Sequence, residues 1–523
     1  MDILVVLIPL FPLLAAFIIG IGNLLGQIKG EAGERITSGI ASLAISLSCV
    51  LALFLLVTDL LGKNVGSISM GDWLGSDNFR ISINFITSGL NIGLTALFAI
   101  LLFIVIRFSI NYMHREAGFH RFFFILNLFS AAMLLLVLSG NAVGTFIGWE
   151  IAGLCSYLLI SYAYDRPIAT LNATRVFVTN RIGDAGFILG IGLSYFYAGT
   201  INWESLNSVA EQLTIPTATV IALCFAVAAF AKSAQLPFTP WLARAMEGPT
   251  PSSSIFYGAV MIHAGVFLVI LLQPIFERAP LAMDALVLIG LFTAVYSFAV
   301  GLTQTDVKSS LCFSISGQLG LMFLECGLGF WELAIWHLCA HAIVRCYQVL
   351  TAPSLMHNVI GNPIKPIGRD YAKLHWLYIA SIQRFWLDPI ADRTLVRPID
   401  GLGQDLSRFD TYVIDRAMGA PASSSRAISS LAQLEQKVLG ESQPDYNVSQ
   451  FGHGTGIAGK LFEWTAKVLG WFEERLVLQG IGMDIVDIGN KLGRAANTFE
   501  RLLLKPRYLV LFVFIVLLIA ATR

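Results

Sequence analysis

Ionisable side chains interrupt a series of otherwise apolar segments, and their chemical types are suited to moving protons. Glu150 lies within GTFIGWEIAGLCSYLL, Lys232 within AFAKSAQLPFTPW, and Arg181 and Asp184 within TNRIGDAG. An ionised group at bilayer depth is costly unless it is paired or hydrated, so each of these residues is a candidate functional residue. The other ionisable residues of this kind are His263, Asp306, Lys308, His337, His341 and Arg345.

Lys232 is followed by Pro237 and Pro240, which remove backbone donors and interrupt helical hydrogen bonding. This pattern predicts that the helix carrying Lys232 is discontinuous. Broken helices with a charged residue near the break are typical of ion pathways in transporters, where the freed backbone groups line a hydrated cavity. The alternative is a proline kink used only for packing, with the lysine extending toward the membrane surface.

His337, His341 and Arg345 are spaced four residues apart, so their side chains share one helix face and span about 12 Å at roughly 1.5 Å per residue. Imidazole titrates near neutrality, which suits this stripe to a proton relay. A zinc site is a second interpretation, for which His263 is the one candidate third ligand at similar depth. Structural histidines that bond to backbone carbonyls are the third.

A carboxylate such as Glu150 beside an amine such as Lys232 would form a switchable pair. The lysine keeps its proton while it is paired, and desolvation favours the neutral amine once the carboxylate moves away or is neutralised. Such a pair moves protons without a cofactor. Because the sequence contains no GxxxxGK[ST] loop, haem motif or flavin fingerprint, we expect neither a cofactor nor catalytic chemistry in this chain.

Composition places the elements that carry these residues in a membrane. Of the 523 residues, 56% are hydrophobic and 13% are charged, and the mean hydropathy is +0.72. Lys plus Arg and Asp plus Glu each total 34, so no basic excess is available to bind nucleic acid. The seven cysteines are scattered, without the close spacing of a metal site, and we expect no bound metal.

Apolar stretches long enough to cross a bilayer, at roughly 20 residues each, recur from the start of the chain to about residue 353. They cover 3–25, 36–61, 84–107, 121–140, 142–163, 175–198, 217–242, 252–273, 281–303, 309–328 and 331–353, and a short twelfth covers 508–522. We expect the first stretch to be a transmembrane helix that is not cleaved, because Asp2 stands where a secretory signal has basic residues. The sequence therefore predicts an all-α polytopic membrane protein of about twelve transmembrane helices.

The distribution of charge predicts the orientation of this bundle. With the N-terminus outside, most loop lysines and arginines face the cytoplasm, and Lys63, Arg80 and Arg278 remain outside. About half of all charged residues lie in the last third of the chain, so residues 354–506 are predicted to be cytoplasmic or interfacial.

Helical spacing of apolar residues within residues 354–506 predicts amphipathic helices at 428–439 and 460–476, joined by a linker at 440–456. The segment either braces the bundle or docks a partner. The predicted regions are N-terminal helices with an outer loop (1–80), a core (81–353), this segment (354–506) and a terminal helix (507–523).

Five ordered motifs resemble the proton-translocating, antiporter-like subunits of respiratory complex I, and most of all its largest distal subunit. The motifs are FIGWEIAGLCSYLLI, TNRIGDAGF, AKSAQLPFTPWLARAMEGPTPSS, QTDVKSSLCFSISGQLGLMFLECG and HLCAHAIVR. Relatives of that family occur in multisubunit sodium/proton antiporters and in the membrane half of two-subunit inorganic-carbon accumulation systems. The resemblance covers roughly residues 80–350 and implies an inverted-repeat bundle.

The resemblance implies roles for individual residues. Glu150 and Lys232 match the modulating pair of the family, and Arg181 and Asp184 match an ion pair beside the channel. Lys308 matches a lysine of the central polar axis. His337 and His341 match histidines of the hydrated path, and His263 and Asp306 are further candidates for that path.

Two residues depart from the pattern of the family. Arg345 stands where the family has a lysine, and because it cannot release its proton it would act as a fixed charge or gate. Tyr257 stands where the family has a histidine in the eighth helix, and His263 follows six residues later. The second broken helix of complex I subunits, which bears an exit lysine, is not evident, and residues 354–506 follow the eleventh helix instead.

These departures favour a shortened relative in the cell inner membrane that couples proton flow to a hydrophilic cytoplasmic partner. By analogy, the favoured activity is inorganic-carbon uptake with a zinc-bearing, carbonic-anhydrase-like partner. A subunit of a complex I-like quinone oxidoreductase and a sodium/proton antiporter module are alternatives. A non-conducting scaffold is the remaining hypothesis, and the joint presence of the lysines, histidines and glutamate argues against it.

Overall fold

The computed structural model describes residues 2–63, 66–76, 79–116, 118–304, 306–352 and 375–409. Within these ranges, eleven helices are long and apolar enough to cross a membrane, which confirms the predicted polytopic all-α class. They are α1 (Asp2–Leu24), α2 (Gly30–Leu60), α3 (Gly89–Tyr112), α4 (Phe119–Leu138), α5 (Ala142–Ile160), α6 (Pro167–Ala198), α7 (Ile215–Lys232), α8 (Thr250–Leu271), α9 (Pro280–Gly301), α10 (Val307–Gly327) and α11 (Trp331–Thr351). The predicted helices at 428–439, 460–476 and 508–522 lie outside the described residues.

A β-hairpin occupies the connection between α2 and α3, where the sequence predicted only an outer loop. Strand β1 (Ser67–Ser76) pairs antiparallel with β2 (Phe79–Ile86), and two register irregularities interrupt the pairing. The end of strand β2 covers the first residues of the stretch 84–107, which was predicted as helix. The helix α3 therefore starts later than expected. Alternating side chains in RISINFI are the sequence signal for this strand.

Asn141 joins this hairpin to the bundle. Its side-chain oxygen accepts a hydrogen bond from the backbone of Gly144 at 2.8 Å, which caps the N-terminus of α5. Its side-chain nitrogen donates to the carbonyl of Ser82 at 2.7 Å and contacts the side chain of Asn84. One residue therefore fixes both the start of α5 and the position of β2.

The helix α7 ends at Lys232, and the chain resumes helical form only at Pro240–Arg244. This confirms the predicted discontinuity and its cause, since Pro237 and Pro240 supply no backbone donors. The connecting residues lie inside the bundle, where Gln235 is fully buried.

The helix α8 is also irregular, which the sequence did not predict. It continues from a first α-helical turn into a π-helical segment, Ser254–Ala259, then a 3₁₀ turn, Met261–His263, and regains α-helical form at Ala264–Leu271. Between these segments Val260 has φ −126° and ψ −67°. Segments of π-helix are frequent at functional sites, and this one changes the direction in which His263 projects.

Three short helices follow α11 within the described residues: α12 (His375–Ile382), α13 (Leu387–Ala391) and α14 (Arg397–Phe409). A π-helical segment, Asp392–Val396, joins α13 to α14 in one helical run, whose composition is too polar for it to count among the membrane-spanning helices. Ser381 donates to the carbonyl of Ala299 at 2.7 Å, so α12 packs on the end of α9. This part of the chain crosses one end of the bundle.

Close approach of backbones holds α9 against α10. A Cβ atom added at Gly320 would lie 2.6 Å from the carbonyl oxygen of Gly290, and one added at Gly290 would lie 2.5 Å from the carbonyl oxygen of Gly320. Only glycine at both positions allows this separation. Small residues at helix contacts are characteristic of membrane bundles, because packing there replaces the hydrophobic effect.

We expect Gly320→Ala to destabilise the protein by about 1–3 kcal/mol, because the added methyl group forces α9 and α10 apart. Thermal unfolding in detergent measures this effect. Gly192→Ala in α6 is the matched control, since a Cβ atom there has no neighbour within 4 Å. Equal midpoints for the two variants would show that this contact does not hold the helices together.

Candidate ion pathway

Arg181 on α6 lies between two carboxylates. One guanidinium nitrogen contacts the carboxylate of Glu150 on α5, and the other lies 2.8 Å from Oδ2 of Asp184, one turn further along α6. Asp184 also accepts a hydrogen bond from the indole nitrogen of Trp149 at 2.7 Å. Because the Asp184 side chain is only 5% exposed, these contacts replace the solvation that its charge requires.

Lys232, the last residue of α7, is almost fully buried beside this cluster. Its ammonium donates to the carbonyl oxygen of Trp149 at 3.0 Å and lies 4.9 Å from the centre of the indole ring. The expected direct pair between Lys232 and Glu150 is not formed in this structure, because Glu150 contacts Arg181 instead. The lysine therefore lies at the edge of the charged cluster, held by a backbone carbonyl and an aromatic face.

Gly153 marks the place where the two cations approach each other. A Cβ atom there would lie 3.2 Å from a guanidinium nitrogen of Arg181 and 3.4 Å from the ammonium of Lys232. The absence of a side chain at this position keeps both cations within reach of the same two carboxylates. The four ionisable residues thus form one electrostatic unit, which we call the charged cluster: Glu150, Arg181, Asp184 and Lys232.

Side chains from two other helices satisfy polar backbone groups that the break after Lys232 exposes, and a third helix accepts a bond from the break. Ser316 on α10 donates to the carbonyl of Ala234 at 3.2 Å, and Thr293 on α9 accepts from the backbone nitrogen of Leu236 at 3.0 Å. Ser233 itself donates to the carbonyl of Ile262 on α8 at 2.6 Å. Non-helical backbone is tolerated at this depth because it is buried in protein.

Two histidines meet where α8 and α11 pack together. Nε2 of His263 lies 2.8 Å from Nδ1 of His341, and both rings are buried. Nδ1 of His263 is buried without a hydrogen-bond partner among the described residues. Nε2 of His341 is buried without a hydrogen-bond partner among the described residues. The pair shares one hydrogen bond, so one ring is the donor and the other is the acceptor.

His337 lies one turn before His341 on the same face of α11, with 6.3 Å between the ring centres. Its Nδ1 lies 2.9 Å from the carboxylate of Glu325, and its Nε2 lies 2.9 Å from the side-chain oxygen of Gln318. In the part of the chain that the structure describes, no group of three or more His, Cys, Asp or Glu residues is arranged to hold a metal ion.

The structure places the remaining candidate residues at separate positions. Lys308 donates to the hydroxyl of Thr250 at 2.7 Å at the start of α8. Asp306 caps α10 by accepting from the backbone of Ser309 at 2.9 Å, which is a structural role. Tyr257 is fully buried in the π-helical segment of α8, beside Ser253 and Cys312, and Arg345 donates to Ser314 at 2.7 Å and to Gln348 at 2.6 Å.

Sequence reasoning missed several polar residues that contact the candidate residues. Glu325 and Gln318 contact His337, yet neither was selected, although an ionisable residue within an apolar helix was the signal used elsewhere. Trp149, which binds both Asp184 and Lys232, gave no such signal because its role depends on packing between α5, α6 and α7.

The fold and this arrangement define a polytopic helical membrane protein with buried ionisable residues along interrupted helices. A family model described as NADH:quinone oxidoreductase/Mrp antiporter matches residues 139–376, and one described as NADH-ubiquinone oxidoreductase (complex I), chain 5 N-terminus matches residues 73–123. The chain belongs to this family of antiporter-like membrane subunits, as the motif resemblance implied.

Two curated relatives agree with this assignment, and one solved structure shares the fold. NAD(P)H-quinone oxidoreductase subunit 5 of the Zygnema circumcarinatum chloroplast is 36% identical over 363 residues, which cover 68% of this chain and 51% of the relative. NADH-quinone oxidoreductase subunit L of Campylobacter jejuni is 36% identical over 318 residues, which cover 61% of this chain and 52% of the relative. The chain thus spans about half the length of each of these relatives.

The solved structure is that of the Mrp complex from Dietzia sp. DQ12-45-1b, which matches with a TM-score of 0.60 at 21% identity. The match covers 99% of this chain and 62% of the chain in that complex. At this identity the likeness shows a shared fold.

We expect Arg181→Gln to destabilise the protein by about 3–5 kcal/mol, because it leaves the carboxylates of Glu150 and Asp184 without their guanidinium. The double variant Arg181→Gln with Asp184→Asn should lose less stability, since one of the two uncompensated charges is also removed. Thermal unfolding in detergent compares the two variants. Equal losses in the single and double variants would contradict this account of the cluster.

Proposed function

We propose that the chain is a proton-translocating membrane subunit of a complex I-like quinone oxidoreductase, located in the cell inner membrane. The observation that carries this proposal is the charged cluster at the break in α7. A buried lysine, a bridging arginine and two carboxylates in hydrocarbon are costly to maintain, and a conduction role accounts for that cost.

Arg181 controls the charge on Lys232 in this mechanism. While Arg181 holds Glu150 and Asp184, the lysine shares those carboxylates with a second cation and can release its proton. A shift of Arg181 away from either carboxylate leaves more negative charge facing the ammonium, and Lys232 then keeps its proton. Movement of one guanidinium therefore alternates proton uptake and release at Lys232.

The histidines extend the path beyond the break. A proton that reaches His263 or His341 can cross their 2.8 Å hydrogen bond by an exchange of tautomers. The 6.3 Å between the rings of His341 and His337 is too long for a direct bond, so a water molecule or a ring rotation completes that step. Glu325 stabilises the proton once it reaches His337.

Arg345 sets a fixed positive charge at the end of this histidine series. Its guanidinium keeps its proton at physiological pH, so it orients dipoles and repels cations and does not pass protons on. The contacts to Ser314 and Gln348 hold it in place. This supports the interpretation of Arg345 as an electrostatic gate.

The relatives support the quinone oxidoreductase assignment better than the inorganic-carbon assignment favoured by analogy. Both curated relatives reported above are named as quinone oxidoreductase subunits, and neither name refers to inorganic carbon. A sodium/proton antiporter module is the second candidate, since the fold matches a subunit of an Mrp complex. In each case the chain would function with other subunits in a hetero-complex.

We expect Lys232→Gln to reduce proton flux in proteoliposomes by at least roughly a hundredfold, which is the scale on which single proton-transfer groups contribute. Quenching of a pH-sensitive dye measures the flux. Lys63→Gln is the matched control, because Lys63 is exposed between α2 and the hairpin. Undiminished flux from a folded Lys232→Gln protein would remove the charged cluster from the proposed pathway.

Purification of the intact complex from native membranes, followed by mass spectrometry, tests the proposed assembly. We expect quinone oxidoreductase subunits to co-purify with the chain. Recovery of a zinc-bearing carbonic-anhydrase-like protein instead would restore the inorganic-carbon assignment. Flux that depends on sodium, with antiporter subunits in the preparation, would favour the second candidate.

A further inference from the structure

A polar cavity of about 620 Å³ lies where the helices that follow α11 cross the end of the bundle. It is separate from the charged cluster and from the histidines. Its wall contains four arginines and two aspartates: Arg244, Arg384, Arg393, Arg397, Asp388 and Asp392. Because the arginines in this wall outnumber the aspartates, the wall carries a net positive charge.

Both aspartates are already neutralised by ion pairs. Asp388 lies 3.2 Å from a guanidinium nitrogen of Arg384 and 3.5 Å from one of Arg244. Asp392 lies 3.1 Å from Arg175 of α6, outside the cavity wall. Within the described residues, Arg393 and Arg397 form no ion pair, and both side chains are exposed. Two guanidinium groups are therefore available to an anion.

An exposed apolar surface lies beside the cavity, on α12, α13 and the turn between them. Its large side chains are Trp376, Ile379, Ile382, Trp386 and Ile390, with Trp376 68% exposed and Trp386 51% exposed. The opposite face of α12 is buried on α9 through Ala380 and Ser381. Tryptophan and aliphatic side chains on a short helix at a membrane surface are typical of a segment lying in the interface.

The turn between α12 and α13 is held in a strained conformation. Arg384, Phe385 and Trp386 all have φ of 52–53°, a region that favours glycine. The hydroxyl of Tyr296 on α9 donates to the carbonyl of Arg384 at 3.3 Å, and the Arg384 guanidinium lies 5.3 Å from the ring centre of Phe313. Packing against α9 and α10 thus fixes an arginine at the cavity and a tryptophan beside it.

We propose that this cavity binds the headgroup of one anionic phospholipid, whose acyl chains lie along the adjacent apolar surface. Guanidinium groups bind phosphate oxygens through paired hydrogen bonds. The cavity lies at the bundle end that the distribution of basic residues predicts to be cytoplasmic, where anionic lipid headgroups attract basic side chains. A free phosphate ion would leave the apolar surface uncovered, whereas a phospholipid occupies both features.

Native mass spectrometry of the purified full-length protein tests this site with phosphatidylglycerol and phosphatidylcholine as probes. We expect preferential binding of one phosphatidylglycerol molecule. Arg393→Gln and Arg397→Gln should each weaken that binding about fivefold, as expected for one arginine at a membrane surface. Arg80→Gln is the matched control, since Arg80 is an exposed arginine on the hairpin and is paired with Asp72.

A second native mass spectrometry experiment adds inorganic phosphate in excess over lipid. Retention of phosphatidylglycerol under this condition supports a lipid site, and displacement by phosphate alone would assign the cavity to a free anion and overturn the proposal. Equal phosphatidylglycerol binding by the Arg393→Gln with Arg397→Gln double variant and by Arg80→Gln would also overturn it. So would a cross-link from this cavity to an acidic segment of a co-purified subunit, with no lipid retained.

The inference does not depend on proton translocation, because lipid binding is read out without any flux measurement. Loss of lipid from the double variant with unchanged flux supports the site and leaves the proposed function intact. Both exposed arginines lie outside the packed bundle, so the variants are expected to elute and unfold like the wild-type protein.

Discussion

The interruption of α7 at Lys232 is the constraint on which the architecture depends. Ending a helix inside a membrane frees backbone donors and acceptors that lipid cannot satisfy, and each one costs several kcal/mol if left alone. Neighbouring helices must therefore come close enough to bind them. Ser316 and Thr293 do so, and within the resumed helix Trp241 donates its indole N–H to the carbonyl of Ala231 at 2.8 Å.

Charge compensation follows from the same constraint. The end of α7 places an ammonium deep in the bundle, and Trp149 and Arg181 arrange the surrounding partial and full charges. The pairing of α9 with α10 at Gly290 and Gly320 then brings the helices that bind the broken segment into position. The packing of these helices, the hydrogen bonds to the free backbone groups and the arrangement of the charges thus all follow from the end of one helix.

The sequence predicted the features that depend on local composition. Eleven spans were located because apolar length is a property of each segment alone, and the break after Lys232 was located because prolines cannot donate. The irregular π-helical form of α8 was not predicted, since TPSSSIFYGAV lacks an internal proline between Ser254 and Ala259. The hairpin was missed because its strands are only partly apolar.

Contacts between helices could not be read from spacing. His263 and His341 are far apart in the chain and meet only because α8 turns at Val260. Glu150 was expected beside Lys232, yet Arg181 competes for the same carboxylate. Which of the two cations pairs with Glu150 depends on distances between helices, and a linear sequence pattern does not contain these distances. Asp306 was grouped with the pathway residues by its charge, although its position before α10 made it a helix cap.

Asn141 connects the hairpin to the helix that carries part of the charged cluster. The same amide caps α5 and binds β2, and α5 carries Trp149 and Glu150 two to three turns further along. Displacement of the strand therefore moves the end of that helix or breaks the hydrogen bonds of Asn141. A change in the position of the hairpin would therefore reach the side chains around Lys232 through α5.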